Sequence, residues 1–180
     1  VKEDEFKFTL ELAVAGFKGT PSPGPSANVE SWNGTTWTET TDVNTGRYAA
    51  GGFGLTTSSI IFGGDPGKVT NVESWNGSAW TEVTEYNTSG VVYTAGAGSS
   101  NTDGIKFGGE AGPGRLANTE AWDGTTWTEV NDLANTVGQQ GVAGSSTAAL
   151  SSGGYSGTAY VTNTEEWTAA DFEIKTMTTS

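Results

Sequence analysis

Seven glutamates return at two fixed places in the chain: Glu30, Glu73, Glu120 and Glu165 at one, Glu39, Glu82 and Glu129 at the other. The sequence has no His and no Cys. Ser-His-Asp and Cys-His catalysis, His-ligated zinc and thiolate sites are therefore excluded, which leaves carboxylate chemistry. A glycosidase needs two acids about 5 to 10 Å apart across one cleft, and no unique pair stands out from the repeat. A residue that returns in every unit is an architectural element rather than a catalyst. No catalytic residue is assigned, and the chain is expected not to be an enzyme.

Cofactors and metals find no motif either. No D-x-[DN]-x-[DN]-G calcium loop occurs, so no metal ligand is assigned. The double glycines at 63 and 64, 108 and 109, and 153 and 154 are followed by no helix start and no Lys-Ser/Thr, so they are not phosphate loops. No cofactor is expected. Eight basic residues against 21 acidic ones give a net charge of −13, which repels nucleic acid and anionic lipid alike. No apolar run approaches the roughly 20 residues that span a bilayer, so no membrane insertion is expected.

What positions these residues is a repeat. A Trp-containing segment returns four times, NVESWNGTTWTE from Asn28, NVESWNGSAWTE from Asn71, NTEAWDGTTWTE from Asn118 and NTEEWTAADFEI from Asn163. Its first aromatics are Trp32, Trp75, Trp122 and Trp167; the second are Trp37, Trp80, Trp127 and Phe172. A glycine marker precedes each segment: GFKG ending at Gly19, IIFGG at Gly64, IKFGG at Gly109 and LSSGG at Gly154. The period divides residues 1–180 into one repeat domain with units 1–45, 46–88, 89–135 and 136–180. Each unit reads as four short strands separated by turn formers, and the fold class is all-β.

Asn33-Gly34, Asn76-Gly77 and Asp123-Gly124 are dipeptides that suit the centre of a type I′ turn. That placement predicts Trp32 opposite Thr35 and Glu30 opposite Trp37, with the two indoles diagonal and on one face. Such aromatic pairs suit a layer buried between adjacent sheets. The N-terminal segment EFKFTLEL alternates Phe6, Phe8 and Leu10 with polar residues, as a strand would. It is expected either to pair with the last unit or to insert into a neighbouring subunit.

These residues resemble Kelch repeats, in which a hydrophobic run ends in a double glycine and is followed by an aromatic and a Trp in the last strand. The wording VESWNGTTWTEV and TEEWTAADFEIKTMTTS looks like the Kelch-like repeat proteins encoded by marine bacteriophages, and the likeness covers the chain from about Ala13 onward. The resemblance implies a Kelch-like β-propeller of four tandem four-stranded blades, which either closes on its own or is completed by strand exchange or oligomerisation. It also implies an extracellular or virion-associated structural and adhesion module. Self-association, other structural proteins and surface glycans are the partners implied. An intracellular Kelch-type adaptor and a carbohydrate-active propeller enzyme are the alternatives.

A specific site on such a scaffold is expected in the connections that differ between units: TPSPGPSA from Thr20, DPGKVT from Asp65, EAGPGRLA from Glu110 and YSGTAYVT from Tyr155. Within them Lys68, Arg115, Tyr155 and Tyr160 are the binding candidates. Aromatic and cationic side chains suit sugar rings, carboxylated glycans and protein contacts.

Overall fold

The computed structural model describes residues 11–19 and 24–169, and these form strands and turns without a helix. Each repeat becomes one antiparallel meander. The first is β1 (Glu11–Lys18), β2 (Gly24–Trp32) and β3 (Trp37–Glu39). The second is β4 (Gly51–Leu55), β5 (Ser58–Phe62), β6 (Val72–Trp75) and β7 (Trp80–Val83). The third is β8 (Ala95–Ser100), β9 (Asp103–Ala111), β10 (Gly114–Trp122) and β11 (Trp127–Glu129), and the fourth is β12 (Gly141–Gly144), β13 (Ala148–Ser152) and β14 (Thr164–Thr168). Within the described residues the middle two sheets have the expected four strands and the outer two have three. The Phe6–Leu10 strand and Phe172 lie outside the described residues.

The Trp hairpin forms, in a different register from the one its Asn-Gly dipeptide suggests. Trp32 faces Trp37, Trp75 faces Trp80 and Trp122 faces Trp127 directly, while Glu30 faces Glu39. Asn33 does not take the left-handed backbone of a type I′ turn; only Gly34 does, at φ 94°. The Asn33 side chain instead accepts the backbone N–H groups of Thr35 and Thr36, both at 2.9 Å. Asn76 and Asp123 do the same for Ser78 and Ala79 and for Thr125 and Thr126. This Asx geometry moves the turn centre one residue toward the C-terminus and the pairing by two. A shift of two keeps every side chain on its face, so the indoles remain together, now opposite rather than diagonal, with centroids 5.1 to 5.5 Å apart.

The double glycines mark where one sheet meets the next. Gly63 and Gly64 have φ 67° and 100°, and the pairs at 108 and 153 have nearly the same angles. A Cβ on Gly63 would lie 2.5 Å from the Val91 carbonyl oxygen, and one on Gly108 2.4 Å from that of Val137. The same closeness lets Gly64 donate to Val91 and Gly109 to Val137, each at 2.8 Å. In the first unit the donor is Gly16, which bonds Arg47 at 2.8 Å, and Ala15 before it has φ 60°. The first unit's counterpart of the glycine pair is therefore Ala15-Gly16, not the GFKG run ending at Gly19. An alanine held in the left-handed region hides the marker from a search for glycines.

Successive sheets stack face on face. The Trp face of each sheet covers the opposite face of the sheet before it: Trp75 and Trp80 lie against Val29 and Val43, Trp122 and Trp127 against Ile60, Phe62 and Val72, and Trp167 against Ile105 and Phe107. The first strands pack in series, β4 on β8 and β8 on β12. Among the described residues, none of the extensive strand contacts joins the first sheet to the last. The indole N–H groups are satisfied on both sides of the joint. Trp75, Trp122 and Trp167 donate to carbonyls in the first turn of their own unit, while Trp80 and Trp127 donate back to Thr41 and Thr84 of the unit before.

Because every joint needs a preceding sheet, the aromatic layer is uneven. Trp75, Trp80, Trp122 and Trp127 are buried, Trp32 and Trp167 are half-buried, and Trp37 is 47% exposed. The expectation of a buried pair in every unit thus fails in the first, whose Trp face meets no earlier sheet among the described residues.

Candidate functional site: a tyrosine and arginine cluster across three units

The recurring glutamates serve the joints. Glu73 accepts the backbone N–H groups of Asn44 and Thr45, the Asn44 amide and the Arg47 guanidinium. Glu120 accepts the equivalent groups of Asn87 and Thr88, the Thr88 hydroxyl, and has the Lys106 ammonium 3.3 Å away. Glu165 accepts the N–H groups of Ala134 and Asn135. Burial alone would raise the Glu120 carboxyl, but Lys106 and the Asn87 and Thr88 donors more than reverse it and hold it below the ordinary range. Burial likewise lowers Lys106 and raises the neighbouring Tyr86 to about 12. Glu39, Glu82 and Glu129 each accept the side-chain amide of an Asn on, or just before, the adjacent strand: Asn28, Asn71 and Asn118.

The four binding candidates, in contrast, come together at the end of the sheets opposite the Trp turns. Their centre is Glu110, near the end of β9. The Lys68 ammonium, from the loop after β5, donates to Glu110 Oε1 and to the Gly112 carbonyl, both at 2.9 Å. Arg115 pairs with Glu110 across the β9–β10 hairpin, and its Nη1 lies 2.8 Å from Glu110 Oε2. That contact is one of charge, since the N–H is not aimed along a hydrogen bond. The Lys68 hydrogen bond, reinforced by Arg115 and opposed by burial, holds the Glu110 carboxyl below its usual value.

Arg115 is then clamped between two rings. Its guanidinium carbon lies 5.4 Å from the Tyr93 centroid and 5.2 Å from that of Tyr155, a geometry in which a flat cation gains on both faces. Tyr155 is tied through reciprocal bonds at 2.8 and 3.1 Å to Gly138, in the linker that opens the fourth unit, and the next residue, Gln139, donates to the Tyr93 carbonyl of the third unit at 2.8 Å. A tight turn, closed by Ser156 donating to Ala159 at 3.0 Å, brings Tyr160 back opposite Tyr155 with ring centroids 5.3 Å apart. Tyr160 is 83% exposed.

The result is an outward aromatic ledge seated on a buried cation, with a half-exposed ammonium bonded to the same carboxylate. Lys68 and Arg115 are balanced by Glu110 and by Asp65, whose carboxylate accepts the Lys68 backbone N–H at 3.0 Å, so the cluster is formally neutral on a chain of −13. Such a ledge can stack a sugar ring or a protein aromatic, and the partly exposed Lys68 ammonium can meet an anionic substituent. Sequence reasoning missed Glu110 and Tyr93. The pairing of Glu110 with Arg115 could have been found from the turn A-G-P-G between them; nothing local marks Tyr93, which arrives from a different connection.

A groove of about 490 Å³ lies between β1 and β4, lined by Leu12, Val14, Gly52, Phe53 and Leu55 among others. Its charged side chain, Arg47, is already bonded to Glu73 and to the carbonyls of Thr45, Gly63 and Asn71. Among the described residues the groove therefore offers a ligand no charged side chain that is not already engaged. No protein-family profile matches the chain, and a search of curated proteins finds no match to it.

Proposed function

We propose that the four meanders are blades of a Kelch-like propeller segment that acts as an extracellular or virion-associated adhesion module. It holds a carboxylated glycan on the Tyr160 ledge and performs no chemistry on it. The observation that carries this reading is Tyr160 itself: a large ring, 83% exposed, backed by Tyr155 and Arg115. An exposed aromatic held rigid from behind loses little entropy when a ring stacks on it. Lys68 supplies the positive partner for a carboxylate, and neighbouring units supply rigid support. The blade reading is supported by four antiparallel meanders in series, the double glycines at each joint and the repeated Trp pair.

A glycan array read with the intact chain tests it. Carboxylated sugars are expected among the binders, with at least a tenfold loss in Tyr160→Ala and a smaller loss in Lys68→Ala. Binding that ignores both substitutions removes the site assignment, and turnover of any glycan removes the non-enzymatic role.

A further inference from the structure

The two ends of the stack are unlike, and each carries one half of a contact that the interior makes repeatedly. At the first end stands Trp37, 47% exposed, at the repeat position of Trp80 and Trp127. At the last end stands Leu150, 48% exposed, which faces Glu166 as Ile60 faces Ser74 and Ile105 faces Ala121. Inside the molecule those positions are joined: Ile60 is buried in one cluster with Trp122 and Trp127, and Ile105 in one with Trp167.

We propose that a second copy of this chain docks head to tail, the Leu150 face of one copy covering the Trp32 and Trp37 face of the next, so that the joint between units continues between molecules. The occupant is specified by the three internal joints, each of which covers a Trp face with the opposite face of another repeat. Glu30 fits the same scheme. It occupies the position of Glu73, Glu120 and Glu165, which all receive linker N–H groups from the preceding unit, yet its side chain is exposed. Trp37 and Leu150 are both about half in solvent and share no buried cluster, so among the described residues the molecule's own last sheet does not cover its first Trp face. The contact is heterologous, so it builds either a closed ring of copies or a filament. It uses neither Lys68 nor Tyr160, and assembly and glycan binding can fail separately.

Sedimentation velocity on the intact chain over a concentration series tests this. The mass is expected to rise with concentration in the native protein. Trp37→Glu and Leu150→Lys each remove one end, and each variant is expected to stay monomeric with an unchanged circular dichroism spectrum. An equimolar mixture of the two variants retains one good end of each kind, so it forms dimers and stops there. A native chain that is monomeric throughout, variants that assemble like the native chain, or a mixture that stays monomeric would each overturn the proposal.

Discussion

Arg47 and Lys106 serve the same carboxylate position from different elements. Arg47 stands in the linker between the first two units and reaches Glu73; the next linker has Val91 at that place. Lys106 stands on β9 opposite Glu120, where β5 has Ile61 opposite Glu73. Each of the first two joints thus contains one buried cation and one aliphatic side chain, exchanged between two sites. The third joint has Val137 and Ser151 at these places and no cation, and its Glu165 is correspondingly more exposed.

The donors around Glu120 make the two partners unequal. Glu120→Gln leaves the Lys106 ammonium buried without its counter-charge, which costs about 3 to 5 kcal/mol. Lys106→Met leaves Glu120 with the Asn87 and Thr88 donors, so the loss is smaller, about 1 to 3 kcal/mol. Adding Lys106→Met to Glu120→Gln should recover part of the larger loss. Urea unfolding of the three variants gives the order, and a Lys106→Met variant as unstable as Glu120→Gln would show that the backbone donors do not sustain the carboxylate.

Acid should act through the same groups. Glu120 and Glu110 both titrate below their ordinary values in the folded chain, whereas in the unfolded chain a Glu titrates near about 4.3. Between the two values the unfolded state binds more protons, so stability falls as pH drops through that window and is fully present above it. The melting temperature should be level down to about pH 5 and then fall, and the fall should be shallower in Glu120→Gln. Equal slopes in the two proteins would mean that Glu120 is not among the groups responsible.

The uneven Trp layer makes its own prediction. Trp80→Ala and Trp127→Ala empty buried positions and should each cost roughly 3 to 5 kcal/mol. Trp37→Ala, at the same repeat position but half in solvent, should cost less than about 1 kcal/mol when measured dilute enough to keep copies apart. Thermal unfolding of the three proteins side by side distinguishes an effect of position in the stack from an effect of residue type.

How far the sequence could be read follows from the range of the forces involved. The meanders and the faces of Trp32 and Trp37 were legible because strand alternation and turn chemistry are local, and an error of two in register leaves faces unchanged. Register itself was not, because the Asn33 side chain competes with the backbone for the turn N–H groups. The candidate site was half legible: Lys68, Arg115, Tyr155 and Tyr160 could be named from loop variation, but their convergence on Glu110 depends on how three units stack. Ala15 escaped because its backbone conformation is imposed by the Gly16 to Arg47 contact rather than by its own preference.

Arg115 should prove to be the clamp of the ledge, and the conservative substitution is the sharper probe. Lysine keeps the charge beside Glu110 but has no plane to lie between Tyr93 and Tyr155. Each cation–ring contact is worth about 0.5 to 2 kcal/mol, enough to loosen the turn at 156–159 without unfolding the sheets. In Arg115→Lys the amides of Gly138, Tyr155 and Val161, which bond Tyr155, Gly138 and Gly154, should exchange hydrogen faster. The amides of Asn87 and Thr88 at the Glu120 joint should keep native rates. If the turn amides also keep native rates, Tyr160 is held by the Tyr155 backbone pairing alone, and Arg115 contributes charge rather than rigidity.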